Sequence, residues 1–216
     1  MDTRLLLWIN SHHNSFFDAL LWWASAATDL YCAWWLLGIA AWRGDRKQGR
    51  RVLLSVAVAL ALAYVSVDLI LKPLAARPRP FDALAGVRTL ELSWLGELVP
   101  SRFSFPSGHC ASSAAAAVVF GSFYRRARLP LAIIVGLVAY SRVYLGMHYP
   151  SDCLAGFAIG TACGICGLRV ARRVPETADN SRSTINIIHP PDAEGDPSGG
   201  EMPRCKAPVR ARGDVS

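Results

Sequence analysis

"VLLSVAVALALAYVSVDLILK", residues 52–72, decides the fold class. A helix that crosses the hydrocarbon core of a bilayer needs about 20 consecutive apolar residues. This stretch stays uncharged from Val52 to Val67 before Asp68 and Lys72 close it. Those two charges are four positions apart, so a helix places them on one face and within reach of each other. A membrane span that ends in an ion pair raises the question of what else gathers at that end.

Further apolar blocks occupy residues 30–42, 107–124, 129–147 and 151–168. With 52% hydrophobic and only 18% charged residues among 216, the chain is too apolar for an ordinary soluble domain. The net charge of +7 does not point to nucleic acid, because the basic residues cluster in short connections at 43–51, 125–128 and 169–173. Arginine-rich connections of this kind follow the positive-inside rule. Placing them in the cytoplasm puts residues 72–106 and the "GMHYPSD" turn together on the non-cytoplasmic side. The expected architecture is all-α, a polytopic transmembrane bundle of five to six helices, and the expected partners are membrane lipids.

The two ends of the chain read differently. Residues 4–28 mix apolar and polar positions and are rich in tryptophan, as an interfacial segment is. Asp29 stands where it can cap the block that follows. Residues 174–216 are rich in proline, glycine and charge, the composition of a disordered tail, which leaves residues 1–173 as the membrane-embedded domain. Cys163 and Cys166 have the spacing of half a zinc site, but no second half-site completes it, so neither a metal nor any other cofactor is expected.

Three polar stretches fall on the non-cytoplasmic side. "KPLAARPRP", residues 72–80, supplies Lys72, Arg77 and Arg79 among prolines. "FPSGH", residues 105–109, opens the third block, where Ser107 can cap a helix and the Gly108 N–H faces outward as part of an anion site; His109 follows in the first turn. "SRVYLGMHYPSD", residues 141–152, places Arg142 and His148 at the outer end of the fourth block, Pro150 at the start of the next helix and Asp152 in its first turn. Asp152 could accept one imidazole N–H of His148 and so leave the other nitrogen free. Cations, a helix N-terminus and two histidines suit phosphoryl transfer.

These stretches resemble three motifs of the type 2 phosphatidic acid phosphatase superfamily, in its membrane-bound lipid phosphatase branch. Lys72, six residues and "RP" at 79–80 match the first; "PSGH" at 106–109 the second; "SR", five residues, His148, three residues and Asp152 the third. The resemblance implies that His148 attacks phosphorus and forms a phosphohistidine, with Asp152 holding its ring. It implies that His109 protonates the leaving oxygen and later activates water, while Lys72, Arg79, Arg142, Ser107 and Gly108 hold the phosphoryl oxygens, without a metal. Arg77 and Asp68 lie outside the motifs; either Arg77 adds charge for a diphosphate and Asp68 pairs with Lys72, or both are simple surface or helix-end residues.

The implied substrate is a lipid phosphate, with undecaprenyl diphosphate, the wall-precursor carrier, ahead of phosphatidate, phosphatidylglycerol phosphate and lipid A. A lipid phosphotransferase using the same histidine, and a non-catalytic scaffold keeping the fold, are the readings from other classes. Phosphate release without an added acceptor separates the first of these from a hydrolase, and any turnover excludes the second.

Overall fold

The computed structural model describes residues 1–29, 32–89 and 103–173. In chain order the helices are α1 (Asp2–Asn10), α2 (Ser15–Asp29), α3 (Cys32–Gly44), α4 (Arg46–Tyr64), α5 (Lys72–Ala75), α6 (Pro80–Ala83), α7 (Gly108–Phe123), α8 (Arg128–Tyr144) and α9 (Pro150–Arg173). No strand occurs among the described residues; a single bridge joins Pro78 to Phe103. The all-α bundle expected from the sequence is the observed class. The chain divides after Pro175, and the Met1–Pro175 unit holds every element described. The readings of residues 174–216 as a disordered tail and of Asp29 as a side-chain cap lie outside what is described.

The decisive stretch is part of one continuous 30-residue helix, Arg46–Ala75. Asp45 starts it by accepting the N–H groups of Lys47 at 2.9 Å and Gln48 at 3.1 Å. Its outer part, Val65–Leu71, is wound as a π-helix before α5 resumes α geometry. Arg125–Tyr144 and Pro150–Arg173 are the other helices long and apolar enough to cross a membrane among the described residues, three by that measure. Helices α3 and α7 have 13 and 16 residues, about 20–24 Å of helix. The N-terminal stretch is broken into α1 and α2, of 9 and 15 residues, each shorter than a span needs.

Helix α7 is the centre. Its alanines and serines are buried almost throughout, and it packs against α9, α4 and α8. Val52, Val56, Ala59, Leu60 and Ala63 of α4 meet Ala111, Ala115, Val119 and Phe120 of α7 in one apolar cluster. Helix α9 meets α7 through glycines one turn apart, which lets the two backbones touch, as membrane helices do with small residues. A Cβ on Gly160 would stand 2.1 Å from the Ala111 carbonyl oxygen, and one on Gly156 would stand 2.5 Å from that of Ser107. Gly160→Leu is therefore expected to force α9 off α7 and to cost about 3 kcal/mol, the upper end of overpacking. Gly136, with open space around its Cα, is the control, and Gly136→Leu should leave the thermal midpoint in detergent unchanged.

The arginine-rich ends meet at one end of the bundle. Arg51 of α4, Ser122 and Phe123 of α7 and Arg172 of α9 line a common cavity of about 190 Å³. The polar stretches occupy the opposite ends of these helices.

Candidate active site

Pro150 opens α9, with Asp152 in its first turn and fully buried. Its carboxylate accepts the Tyr149 N–H at 2.9 Å, the Ser104 hydroxyl, and Nη1 of Arg77 at 2.6 Å. The Asp152 backbone carbonyl accepts the Ser107 N–H at 3.0 Å, which ties the second motif to the third.

His148 is 1% exposed, in the turn between α8 and α9. The turn is closed by Met147 N–H and His148 N–H, which donate to the Arg142 carbonyl at 3.0 and 3.2 Å. It passes through Gly146 at φ +68°, where a Cβ would lie 2.4 Å from Cγ1 of Val87, so only glycine fits. Nδ1 of His148 is 2.6 Å from the Ser104 carbonyl oxygen and 3.7 Å from Oδ2 of Asp152. A carbonyl only accepts, so Nδ1 carries the hydrogen and Nε2 keeps its lone pair. This corrects the expectation that Asp152 takes the imidazole N–H. The acceptor is Ser104, and Asp152 holds Ser104 through its hydroxyl.

The cations surround this ring. Nζ of Lys72 is 2.6 Å from Oδ1 of Asp68, the pairing expected from their spacing, and both lie against the start of α7. A Cβ on Gly108 would be 3.4 Å from Asp68 Oδ2 and 3.7 Å from Lys72 Nζ. Arg142 is buried in the last turn of α8, and Nη1 of Arg79 lies 3.4 Å from the Met147 sulfur. Burial pushes the His148 imidazole well below its ordinary value of 6.5; Asp152 works the other way, while the charges of Arg142, Arg79 and Lys72 add to the depression. The ring is therefore neutral near pH 7.

Ser107 caps α7, its hydroxyl oxygen accepting the Cys110 N–H at 3.5 Å. The hydroxyl hydrogen remains available to donate, and the Gly108 N–H sits in the first turn, where no intrahelical carbonyl reaches it. His109 follows in the same turn, half-buried. All the residues singled out from the sequence thus stand at one end of the bundle.

Arg77 is held by side chains of the scaffold. Its Nη1 bonds Asp152 and, at 2.8 Å, the Ser151 hydroxyl; its Nη2 bonds Asp2 at 2.8 Å; and its guanidinium lies 3.8 Å from the Tyr149 ring centre. It stands behind the histidine turn, paired with both Asp2 and Asp152. The sequence reading missed Ser104, Asp2, Ser151 and Tyr149. No spacing rule marks a serine three positions before a helix cap, or an aspartate some 150 residues from its partner.

An imidazole with an available lone pair, three cations and a helix N-terminus can receive a tetrahedral phosphate and attack it. The comparisons with known proteins name phosphatases of lipid phosphates. Lipid A 4'-phosphatase of Bacteroides thetaiotaomicron is 32% identical over 174 residues, covering 74% of this chain and 72% of that protein. Undecaprenyl-diphosphatase BcrC of Bacillus subtilis is 27% identical over 74% of this chain and 77% of its own. The crystal structure of Aquifex aeolicus LpxE superposes with a TM-score of 0.65 at 26% identity, covering 78% of this chain and 94% of that one. The family model of the PAP2 superfamily matches residues 52–175, from the first long span through all three motifs, and the chain belongs to that superfamily of membrane lipid phosphatases.

Proposed function

We propose that this chain hydrolyses undecaprenyl diphosphate to undecaprenyl phosphate, through a phosphohistidine on His148, at the non-cytoplasmic face of a bacterial inner membrane. The observation that carries the chemistry is the 2.6 Å bond from His148 Nδ1 to the Ser104 carbonyl, which fixes the tautomer with its lone pair on Nε2. The similarity to undecaprenyl-diphosphatase over three quarters of both chains supports the substrate. The arginines at the opposite end of the bundle support the orientation, because the positive end stays in the cytoplasm.

The steps use the roles that the motif resemblance implies. Nε2 of His148 attacks phosphorus and the bond to the bridging oxygen breaks, with His109 giving that oxygen its proton. Water then attacks the phosphohistidine, His109 takes the water's proton, and the P–N bond breaks to restore His148. Lys72, Arg79, Arg142, the Ser107 hydroxyl and the Gly108 N–H hold the equatorial oxygens as charge develops on them. Lys72→Ala is expected to lower kcat by about 10²–10³-fold, or about 2.7–4 kcal/mol, as loss of one preorganised donor does. It also takes from Asp68 the ammonium it pairs with at 2.6 Å, so a lower thermal midpoint should accompany the loss of rate.

The 32% identity to lipid A 4'-phosphatase, together with the LpxE superposition, favours a second reading in which the substrate is the phosphate of lipid A. Phosphate release by the purified chain in detergent with EDTA, compared across undecaprenyl diphosphate, lipid A, phosphatidate and phosphatidylglycerol phosphate, separates the two. A preference for the diphosphate upholds the proposal. Faster release from lipid A moves the function there, and no release from any of the four refutes the hydrolase.

A further inference from the structure

Behind the histidine turn lies a contact that no motif contains. Asp2, at the start of α1, accepts the Ser151 N–H on Oδ1 at 2.9 Å. On Oδ2 it accepts the Ser151 hydroxyl at 2.5 Å and Nη2 of Arg77 at 2.8 Å. Arg77 continues to Oδ1 of Asp152 at 2.6 Å; Oδ2 of the same carboxylate accepts the Ser104 hydroxyl, and the Ser104 carbonyl accepts His148 Nδ1–H. The Ser104 N–H donates in turn to the Arg77 carbonyl at 2.8 Å, so both ends of that residue are tied into the same chain of bonds.

We infer that Asp2 and Arg77 are positioning residues for the His148 nucleophile, and that α1 is the clamp that seats them. This rests on the reading of His148 as the nucleophile.

Three features make the chain of bonds more than local packing. Every nitrogen–oxygen bond along it is 2.9 Å or shorter, and most are charge-assisted, the stronger class. Arg77 is anchored in plane by a fork of partners on two helices and on its face by Tyr149, so it fixes the position of Asp152 as well as neutralising it. The side chains of Arg77 and Asp2 are 32% and 28% exposed, which leaves the pair shielded from full solvent screening. Burial works to raise the Asp2 carboxyl, but the bonds from Ser151 and Arg77 outweigh it and hold it below its ordinary 3.8, so it is ionised at neutral pH.

Helix α1 has only nine residues and would not persist alone. It is fixed at its other end by Asn10, whose amide donates to the carbonyls of Tyr144 at 2.7 Å and Arg88 at 2.8 Å, and through the middle by buried Leu6 and Ile9. Leu5, Leu7 and Trp8 face outward. The segment that reads as an interfacial stretch in the sequence therefore has a second face, turned to the catalytic turn.

The test is steady-state kinetics of Asp2→Asn, Asp2→Glu, Arg77→Ala and the Asp2→Asn/Arg77→Ala double variant, on undecaprenyl diphosphate and on phosphatidate, with thermal midpoints in detergent measured alongside. Asp2→Asn is expected to lower kcat about 10- to 100-fold with KM within about twofold, the signature of a misaligned nucleophile. Asp2→Glu should recover most of the rate, the double variant should be no slower than Arg77→Ala, and the loss should be equal on the two substrates. A wild-type rate in Asp2→Asn overturns the clamp. So does a rise in KM confined to the diphosphate in Arg77→Ala, which would make Arg77 a substrate contact, or a rate loss that tracks the thermal midpoint and that Asp2→Glu does not rescue. Absence of turnover by the wild-type chain on these two lipids and on lipid A and phosphatidylglycerol phosphate refutes instead the phosphatase reading on which the clamp rests.

Discussion

His148→Ala is expected to lower turnover by about 10⁴-fold or more, the scale seen when a covalent nucleophile is removed from its supporting groups. The residue is buried among Lys72, Arg79 and Arg142, and the lone pair on Nε2 is the group that the Ser104 bond prepares for phosphorus. Its loss leaves the Ser104 carbonyl without its imidazole donor, a cost of about 1–3 kcal/mol that a bundle of this size can bear. The three cations remain, so the variant should still bind orthovanadate or inorganic phosphate while releasing nothing. Brief exposure of the wild-type chain to labelled lipid diphosphate should leave acid-labile phosphate on the protein, and His148→Ala should carry none. His109→Ala gives the complementary result with a substrate whose leaving group needs no proton: phosphorylation proceeds, hydrolysis stalls and the label accumulates. Near-normal turnover by His148→Ala would refute the assignment outright.

What the sequence made legible was local. The span at 52–72, the cap at Ser107 and the helix start at Pro150 depend on runs of apolar residues and on the chemistry of one or two neighbours, and each stands where its residues predicted. The Asp68–Lys72 pair was legible for the same reason. The π-helix at Val65–Leu71 was not, because the same apolar residues serve either winding. Fourth-block residues 145–147 belong to the turn rather than to α8, since Gly146 adopts a positive φ that the hydropathy pattern does not encode. Motif residues could be named from spacing, but the bond that orients His148 comes from a backbone carbonyl, and every residue has one. The role of Arg77 was not legible, because a cation near a phosphate motif has no mark in sequence to say whether it faces the ligand or the scaffold.

Asp152→Ala and Asp152→Asn are expected to part company, and their difference tests how the imidazole is held. Alanine removes the anion on which Arg77, the Ser104 hydroxyl and the Tyr149 N–H converge. Deleting the carboxylate leaves the buried Ser104 hydroxyl and Tyr149 N–H unsatisfied, at about 1–3 kcal/mol each. That is a large part of a typical domain's margin of about 5–15 kcal/mol, so this variant should be recovered poorly and melt early in detergent. Asparagine keeps the shape and one acceptor oxygen, which can still serve Ser104 and Tyr149, but turns an amide toward Nη1 of Arg77 and loses the charge. Its stability should fall by less than that of the alanine variant. Its rate should fall by about 10²-fold from weaker stabilisation of the charged intermediate, because His148 Nδ1–H bonds Ser104 and the tautomer survives. Were the carboxylate itself the acceptor, the amide would reverse the tautomer and the rate would fall about 10⁴-fold, as it does when an orienting aspartate of a catalytic triad is made neutral. A folded Asp152→Asn chain with the larger loss would move the orienting bond from Ser104 to Asp152; the smaller loss keeps it on the carbonyl, with the carboxylate acting one residue further back.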